Sequence, residues 1–195
     1  MLTLVINTAT STTQIALLKG EELFAEDSWQ SKNNEAEFLL PRISELTPEL
    51  HQIKKVICIS GPGSFTGLRI GITVANTISY LNAAELFSIN TFEYLWQQAP
   101  SPESALLVFA GSRGVYLYHP SQEVEIVKLE DLAAKLEKYP NCFGDISPEQ
   151  KSYASNFIET THKLSDLDHN KLTPCKIIQP NYVKEPSITP PKCCT

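Results

Sequence analysis

Residues Gly61 to Gly71 read GPGSFTGLRIG, and no other stretch narrows the fold of this chain so far. Ahead of them lies Val56-Ile57-Cys58-Ile59, a short apolar run rich in β-branched residues that predicts a buried strand. Behind them a helical pattern runs from about Thr66 to Asn82. Strand, glycine-rich turn and helix in that order form a half-unit of an α/β fold. Gly61 and Gly63 tolerate backbone angles that a Cβ discourages, Pro62 stiffens the turn, and Ser64 or Thr66 is suited to cap the helix. The N–H groups of such a turn can hold an anion or nucleotide, with Gly61, Gly63, Ser64, Thr66 and Arg69 as the candidate contacts. It is not a Walker A loop, because no Gly-Lys-Ser/Thr follows at the required spacing.

Along the helix, Gly67, Gly71, Ala75 and Ser79 recur every four residues, so small residues form one stripe. Ile70, Val74, Ile78 and Leu81 form a second stripe, and Leu68 and Ile72 widen the apolar surface. A helix lying on its own sheet needs only one apolar face. Two readings fit this pattern. The helix is buried between the sheet and another helix of the chain, or it is shared with a partner whose backbone approaches the glycines. Each glycine inside a helix costs ~1 kcal/mol relative to alanine, so close packing on one side or the other should offset it.

The 195 residues suffice for one large domain or two small ones, and the composition is that of an ordinary globular protein. The net charge is −6 and Lys and Arg form no cluster, which argues against gripping RNA directly. No apolar run reaches the length of a membrane span, and the start lacks the basic region and cleavage site of a signal peptide. Five cysteines, odd in number and without a CxxC, fit a reducing cytoplasm better than a disulfide framework.

Leu2–Ile6, Gln14–Leu18 and Leu23–Trp29 are predicted strands, with Lys19-Gly20-Glu21 a hairpin turn. A helix follows from Glu35 to roughly Glu49, with Ala36, Leu39, Leu40, Ile43 and Leu46 on one face, Phe38 off it, and Pro41 expected to kink it. Leu86–Ile89 reads as a strand, Thr91–Gln98 as a helix capped by Thr91, and Ala99–Glu103 as a linker. Leu106–Ala110, Val115–Tyr118 and Glu123–Val127 then repeat the strand-strand-strand order before a helix over Leu129–Lys138. The echo predicts two related lobes, residues 1–100 and 101–185, ahead of a proline-rich tail (186–195) expected to be disordered. Catalytic constellations are scarce. His51, His119, His162 and His169 are far apart and each is expected at the surface; Asp166, Asp168 and His169 read as a solvated loop. No metal or catalytic residue is assigned.

GPGSFTGLRIG, following a strand and opening a helix, closely resembles the signature of the bacterial TsaB (YeaZ) family. Weaker similarity reaches from the first strand to about Phe92, and Pro180-Asn181-Tyr182-Val183-Lys184 is similar to the family's late Pro-x-Tyr-x-Arg, with Lys184 in place of Arg. The resemblance implies an α/β fold of the actin-like ATPase (ASKHA) type: two related lobes of mixed sheet flanked by helices, the second shortened. It implies a non-catalytic cytoplasmic subunit of the machinery that makes threonylcarbamoyladenosine in tRNA. Such a subunit binds and stabilises the TsaD transferase, works alongside a TsaE-type ATPase, and meets tRNA only indirectly. It needs no cofactor of its own, since ATP and metal belong to TsaD. The implied interface is a two-helix face containing Phe38, Leu39, Arg42, Gly67, Leu68, Gly71, Ile72, Ala75 and Ser79, which could also form a homodimer.

The chain departs from the family in three places. Asn7 stands where an aspartate is usual, with no charge to offer Mg²⁺, and reads as a turn residue bonding its own backbone. Glu35-Ala36-Glu37 lacks a histidine often found there, and Ala110-Gly111-Ser112-Arg113-Gly114-Val115-Tyr116 lacks an aspartate and a glutamate. The alternative is a small ATPase or sugar-kinase-like phosphotransferase of the same fold, and Asn7 counts against it. With its net charge of −6, the isolated chain should bind tRNA weakly or not at all at physiological salt. A micromolar gel shift on free tRNA would contradict that expectation.

Overall fold

Every residue of Thr3-Leu4-Val5-Ile6-Asn7 is buried, as expected of a central strand covered on both faces. In the computed structural model, which describes residues 1–31 and 34–183, this strand β1 (Leu2–Asn7) lies inside a six-stranded sheet. It pairs antiparallel with β2 (Thr12–Lys19), which pairs with the edge strand β3 (Glu22–Gln30), and parallel with β4 (Ile53–Ile59). Between β3 and β4 runs helix α1 (Glu35–Leu46); after β4 come helix α2 (Phe65–Asn82), β5 (Glu85–Ile89) and helix α3 (Thr91–Trp96). The second sheet repeats the pattern. β6 (Ala105–Phe109) pairs antiparallel with β7 (Gly114–Tyr118), β7 with β8 (Glu125–Lys128), and, past helix α4 (Leu129–Leu136), β9 (Cys142–Asp145) lies parallel to β6. The orders β3-β2-β1-β4 and β8-β7-β6-β9 are the same arrangement twice, which is the two-lobed actin-like design. Only the first lobe continues past its fourth strand with a long helix and a fifth strand, so the second is the shorter.

Three elements escape the sequence pattern. β9 holds only two apolar residues before Gly144, whose φ of +130° and closeness to the Leu107 carbonyl leave no room for a side chain. Helix α5 (Pro148–Lys151) is a single turn fixed by a capping box between Ser147 and Gln150. β10 (Thr173–Cys175) contains Pro174 and joins the first sheet at its edge, beside β5. Residues expected to complete the second lobe therefore return to the first, and Leu164, Leu167 and Ile178 enter its core. The cap of α3 is Asn90, which accepts from the Glu93 N–H, and not Thr91. Lys184, the prolines of the tail and Cys193-Cys194 lie outside the described residues.

The small stripe of α2 faces inward, onto the turn after β1, while the outer side of the helix stays exposed and is not covered by another helix among the described residues. Gly67 rests against the Thr8 carbonyl and Gly71 against the Thr8 hydroxyl, where an added Cβ would come within 2.2 and 2.1 Å. Ala75 and Leu68 are fully buried, and Ile72 and Ser79 nearly so. The small stripe packs against its own lobe and is not open to a partner. The outward side carries Thr73 and Thr77 and ends in Tyr80 and Leu81, which are 86% and 74% exposed. On α1, Leu39 and Ile43 are buried and Phe38 is exposed, but Ala36 and Leu40 face outward, against the expected apolar face. Cys58 sits in the core of β4, where burial pushes its thiol up to about 12.

The C-terminal segment straps this lobe together. The Asn76 side chain donates to the Ile178 carbonyl at 3.0 Å and accepts from its N–H at 2.9 Å. Further on, the Asn181 N–H donates to the Ser60 carbonyl at 2.7 Å, and Tyr182 stacks on Phe65 with ring centroids 4.8 Å apart. Because the stripe is interior, Ala75→Arg and Gly71→Val should each destabilise the fold by ~1–3 kcal/mol or more. For a chain of this length that is a drop of at least ~2–4 °C per kcal/mol, read by thermal melting. An unchanged melt for either variant would place the stripe at the surface.

Candidate functional site

The Gly61–Ser64 loop is built by contacts to the turn after β1. Gly61 has φ +107°, Gly63 lies so close to the Ala9 carbonyl that an added Cβ would come within 2.1 Å of its oxygen, and the Ser64 N–H donates to that carbonyl at 2.8 Å. Ser64 caps α2 by accepting from the Gly67 N–H at 3.1 Å, as the sequence predicts. The loop forms one wall of a cleft of about 560 Å³ between the two sheets. Gly63, Ser64 and Thr66 line it; Gly61 lies buried behind them, and Arg69 is turned outward, its guanidinium 4.9 Å from the Phe65 ring centre. The opposite wall comes from the second lobe through Val108, Phe109, Tyr116, Asp145 and Ser147.

Asn7 is fully buried and does not reach this cleft. Its side-chain oxygen accepts from the Ala9 N–H at 3.0 Å, and its amide donates to Thr10 Oγ1 at 2.8 Å and Gln14 Oε1 at 3.1 Å. It is a turn residue bonding its own backbone, as the sequence reading held. Gln14 Oε1 also accepts from the Tyr94 hydroxyl at 3.0 Å, while Gln14 Nε2 donates to the His162 carbonyl at 2.6 Å. This chain of bonds ties β1, β2, α3 and the segment returning from the second lobe.

Asp145 is the residue that sequence reasoning missed. From the end of β9 its Oδ2 accepts from the Ser11 N–H at 2.8 Å, and its Oδ1 accepts from the Ser11 hydroxyl. The contact latches the second lobe to the β1–β2 turn of the first. A signal was present: Cys142-Phe143-Gly144-Asp145 ends an apolar step with a carboxylate just before a Ser-Pro-Glu-Gln helix start. The surface expectation fails for His162. Its Nδ1 is buried without a partner among the described residues, Nε2 lies 2.8 Å from Thr160 Oγ1, and Tyr94 packs beside the ring. Asp168 accepts from the Asn170 N–H within a short turn. Among the described residues no group of three metal-ligating side chains gathers. Arg42 is tied inward: its guanidinium sits 4.6 Å from the Trp29 ring centre and bonds Asp27 at 2.6 Å.

Burial lowers the pKa of His162 from 6.5, only partly opposed by the negative charge of Asp145. Above the unfolded value both states are neutral and the full stability is present. As pH falls through it, the unfolded chain takes up a proton that the folded chain resists, so stability is lost towards the folded pKa. The melting temperature should therefore fall between about pH 7.5 and pH 5.5, and fall less in His162→Gln. Equal slopes in the two proteins would show that His162 does not report burial.

The comparisons agree with this architecture. A family model described as TsaD, tRNA N6-adenosine threonylcarbamoyltransferase, matches residues 36–160, more than half of the chain. The tRNA threonylcarbamoyladenosine biosynthesis protein TsaB of Bacillus subtilis is 30% identical over 99 residues, covering 49% of this chain and 43% of the relative. The TsaB of Buchnera aphidicola is 29% identical over 122 residues, covering 58% of this chain and 55% of the relative. The chain thus spans about half the length of the curated relatives it matches. YeaZ from Pseudomonas aeruginosa superposes with a TM-score of 0.56 at 20% identity, over 74% of this chain and 75% of that one, which shows a shared fold. The chain belongs to the TsaD family, and within it to the TsaB (YeaZ) group.

Proposed function

We propose that this chain is a non-catalytic subunit of the machinery that makes threonylcarbamoyladenosine in tRNA, and that it works by binding and stabilising a TsaD-type transferase. Membership of the TsaB group supports the pathway. The observation that carries the docking role is the outward side of α2, where two large apolar side chains, Tyr80 and Leu81, stand 86% and 74% exposed. Large apolar side chains left exposed on one side of a helix are where a docking partner would bury most surface. On α1, which packs beside α2, Leu40 and Phe38 are exposed as well, 47% and 40%.

The docking face is thus shifted from the small stripe to Thr73, Thr77, Tyr80 and Leu81, with Phe38 retained. The same face would serve a homodimer, and a TsaE-type ATPase would join the assembly through TsaD. A rival phosphotransferase reading needs a group at the end of β1 free to hold Mg²⁺. Both ends of the Asn7 amide are already bonded within the turn, which supports the scaffold reading over it.

The test is capture of TsaD by the chain bearing Tyr80→Glu and Leu81→Glu together. Surface changes of this kind alter stability by only ~0.5 kcal/mol, so the melt should stay near that of the parent. Capture should drop at least about tenfold, the equivalent of ~1.4 kcal/mol. Undiminished capture would remove this face from the interface, and Mg²⁺-dependent ATP turnover by the chain alone would favour the phosphotransferase.

A further inference from the structure

Strand β3 is nine residues long and lies at the edge of the six-stranded sheet, and among the described residues nothing pairs with its outer side. Just past it the Ser31 N–H donates to the Ser11 carbonyl, and residues of an antiparallel ladder bond their neighbour alternately. Counted back through the register Trp29↔Thr13, Asp27↔Ile15 and Ala25↔Leu17, these three residues bond β2. The backbone N–H and C=O groups of Glu26, Ser28 and Gln30 therefore point outward. Natural edges are blunted by lysine, proline or a bulge. β3 has neither lysine nor proline, and its bulge, at the Leu17/Leu18 register shift, sits near its start and leaves Ala25–Gln30 regular. We propose that this edge receives an extended segment of a partner protein as a further strand, one that carries lysine or arginine at alternate positions.

Pocket and charge identify the occupant. Side chains alternate across a strand, so Glu26 and Ser28 stand on the face opposite Asp27, whose carboxylate is tied to Arg42 of α1 at 2.6 Å. Beside Glu26 and Ser28 lies a cavity of about 390 Å³, lined also by Thr161, Lys163 and Leu164 of the segment returning from the second lobe. Strand addition draws affinity from the main chain and specificity from pockets that take alternate side chains. Glu21, Glu22 and Glu26 have no ion-pair partner among the described residues, against a single lysine, Lys163, in the cavity. Opposite charges across a ladder stabilise it and like charges destabilise it. The same rule weighs against a second copy, because β3 on β3 would bring both sets of carboxylates onto one short ladder. Leu23 and Phe24, 42% and 63% exposed, add apolar surface at the start of the strand, so the fitting segment alternates basic and apolar residues.

The probe is a synthetic peptide of alternating lysine and valine. One control carries glutamate for lysine. The other carries D-valine for every second valine, which keeps the charge but turns side chains to the wrong face of a strand. Fluorescence anisotropy on the full chain should show the lysine peptide binding at least about tenfold tighter than either control. Ser28→Pro removes only an outward N–H that no ladder bond uses, so the melt should hold while lysine-peptide affinity falls at least about tenfold. If Ser28→Pro fails to fold, Glu26→Lys decides: it should weaken the lysine peptide and strengthen the glutamate peptide. Equal affinity for the lysine and D-valine peptides would mean that charge alone attracts them, which overturns the proposal. No binding at millimolar concentration overturns it too, as does binding that neither variant alters. A peptide-free dimer in sedimentation, dissociated by Ser28→Pro, would assign the edge to a second copy and overturn the peptide occupant. The α2 docking reading is separate: Tyr80→Glu with Leu81→Glu should leave peptide binding unchanged.

Discussion

The turn after β1 and the first two turns of α2 occupy nearly the same space, and that near-collision organises the molecule. Three glycines four residues apart, Gly63, Gly67 and Gly71, lie against the Ala9 carbonyl, the Thr8 carbonyl and the Thr8 hydroxyl, each with no room for a Cβ. Because the glycine spacing matches the helix repeat, one turn of chain can lie along the helix axis rather than across it. The close approach fixes the position of the β1–β2 turn. That turn in turn presents Ser11 to Asp145 and Asn7 to Gln14, so the latch between lobes and the buried polar chain both follow from it.

Polar groups in this interior are organised as a connected set rather than as isolated pairs. Asn7, Gln14, Tyr94 and the His162 backbone link elements that are far apart in sequence. Burial raises the Tyr94 phenol well above its ordinary value, so it stays a donor to Gln14 throughout the accessible pH range. A buried network of this kind specifies one arrangement of the lobes more than it adds stability, because partial satisfaction would be costly.

How much of this could be read beforehand varies by element. The first lobe was legible because its strands are long, apolar and separated by turn residues, and because Ser64 caps where a cap residue should stand. The second lobe was legible as far as its hairpins and the helix α4, and then not, because β9 holds only two apolar residues and β10 is an edge strand containing proline. Periodicity identified the small stripe on α2 but could not say which way it faced. A buried stripe and a shared one have the same spacing, and the deciding contact, Thr8, is about sixty residues away in sequence. Asp145 escaped for the same reason: its partner Ser11 lies 134 positions earlier, beyond the reach of any local pattern.

The strap has a consequence for how the chain is made. The first sheet is completed by β10, and its core by Ile178, which Asn76 holds by both ends of its amide. A ribosome delivers residues from the amino end, so the lobe begun first is the lobe finished last. Until Ile178 has emerged, the β5 edge lacks its neighbour and the side of α2 that the strap covers is bare. During synthesis the half-built sheet is therefore an open template, a state in which exposed edges and apolar faces invite wrong pairings. Closure of that edge waits for Thr173–Ile178, so residues far along the chain complete the sheet that its earliest strands begin.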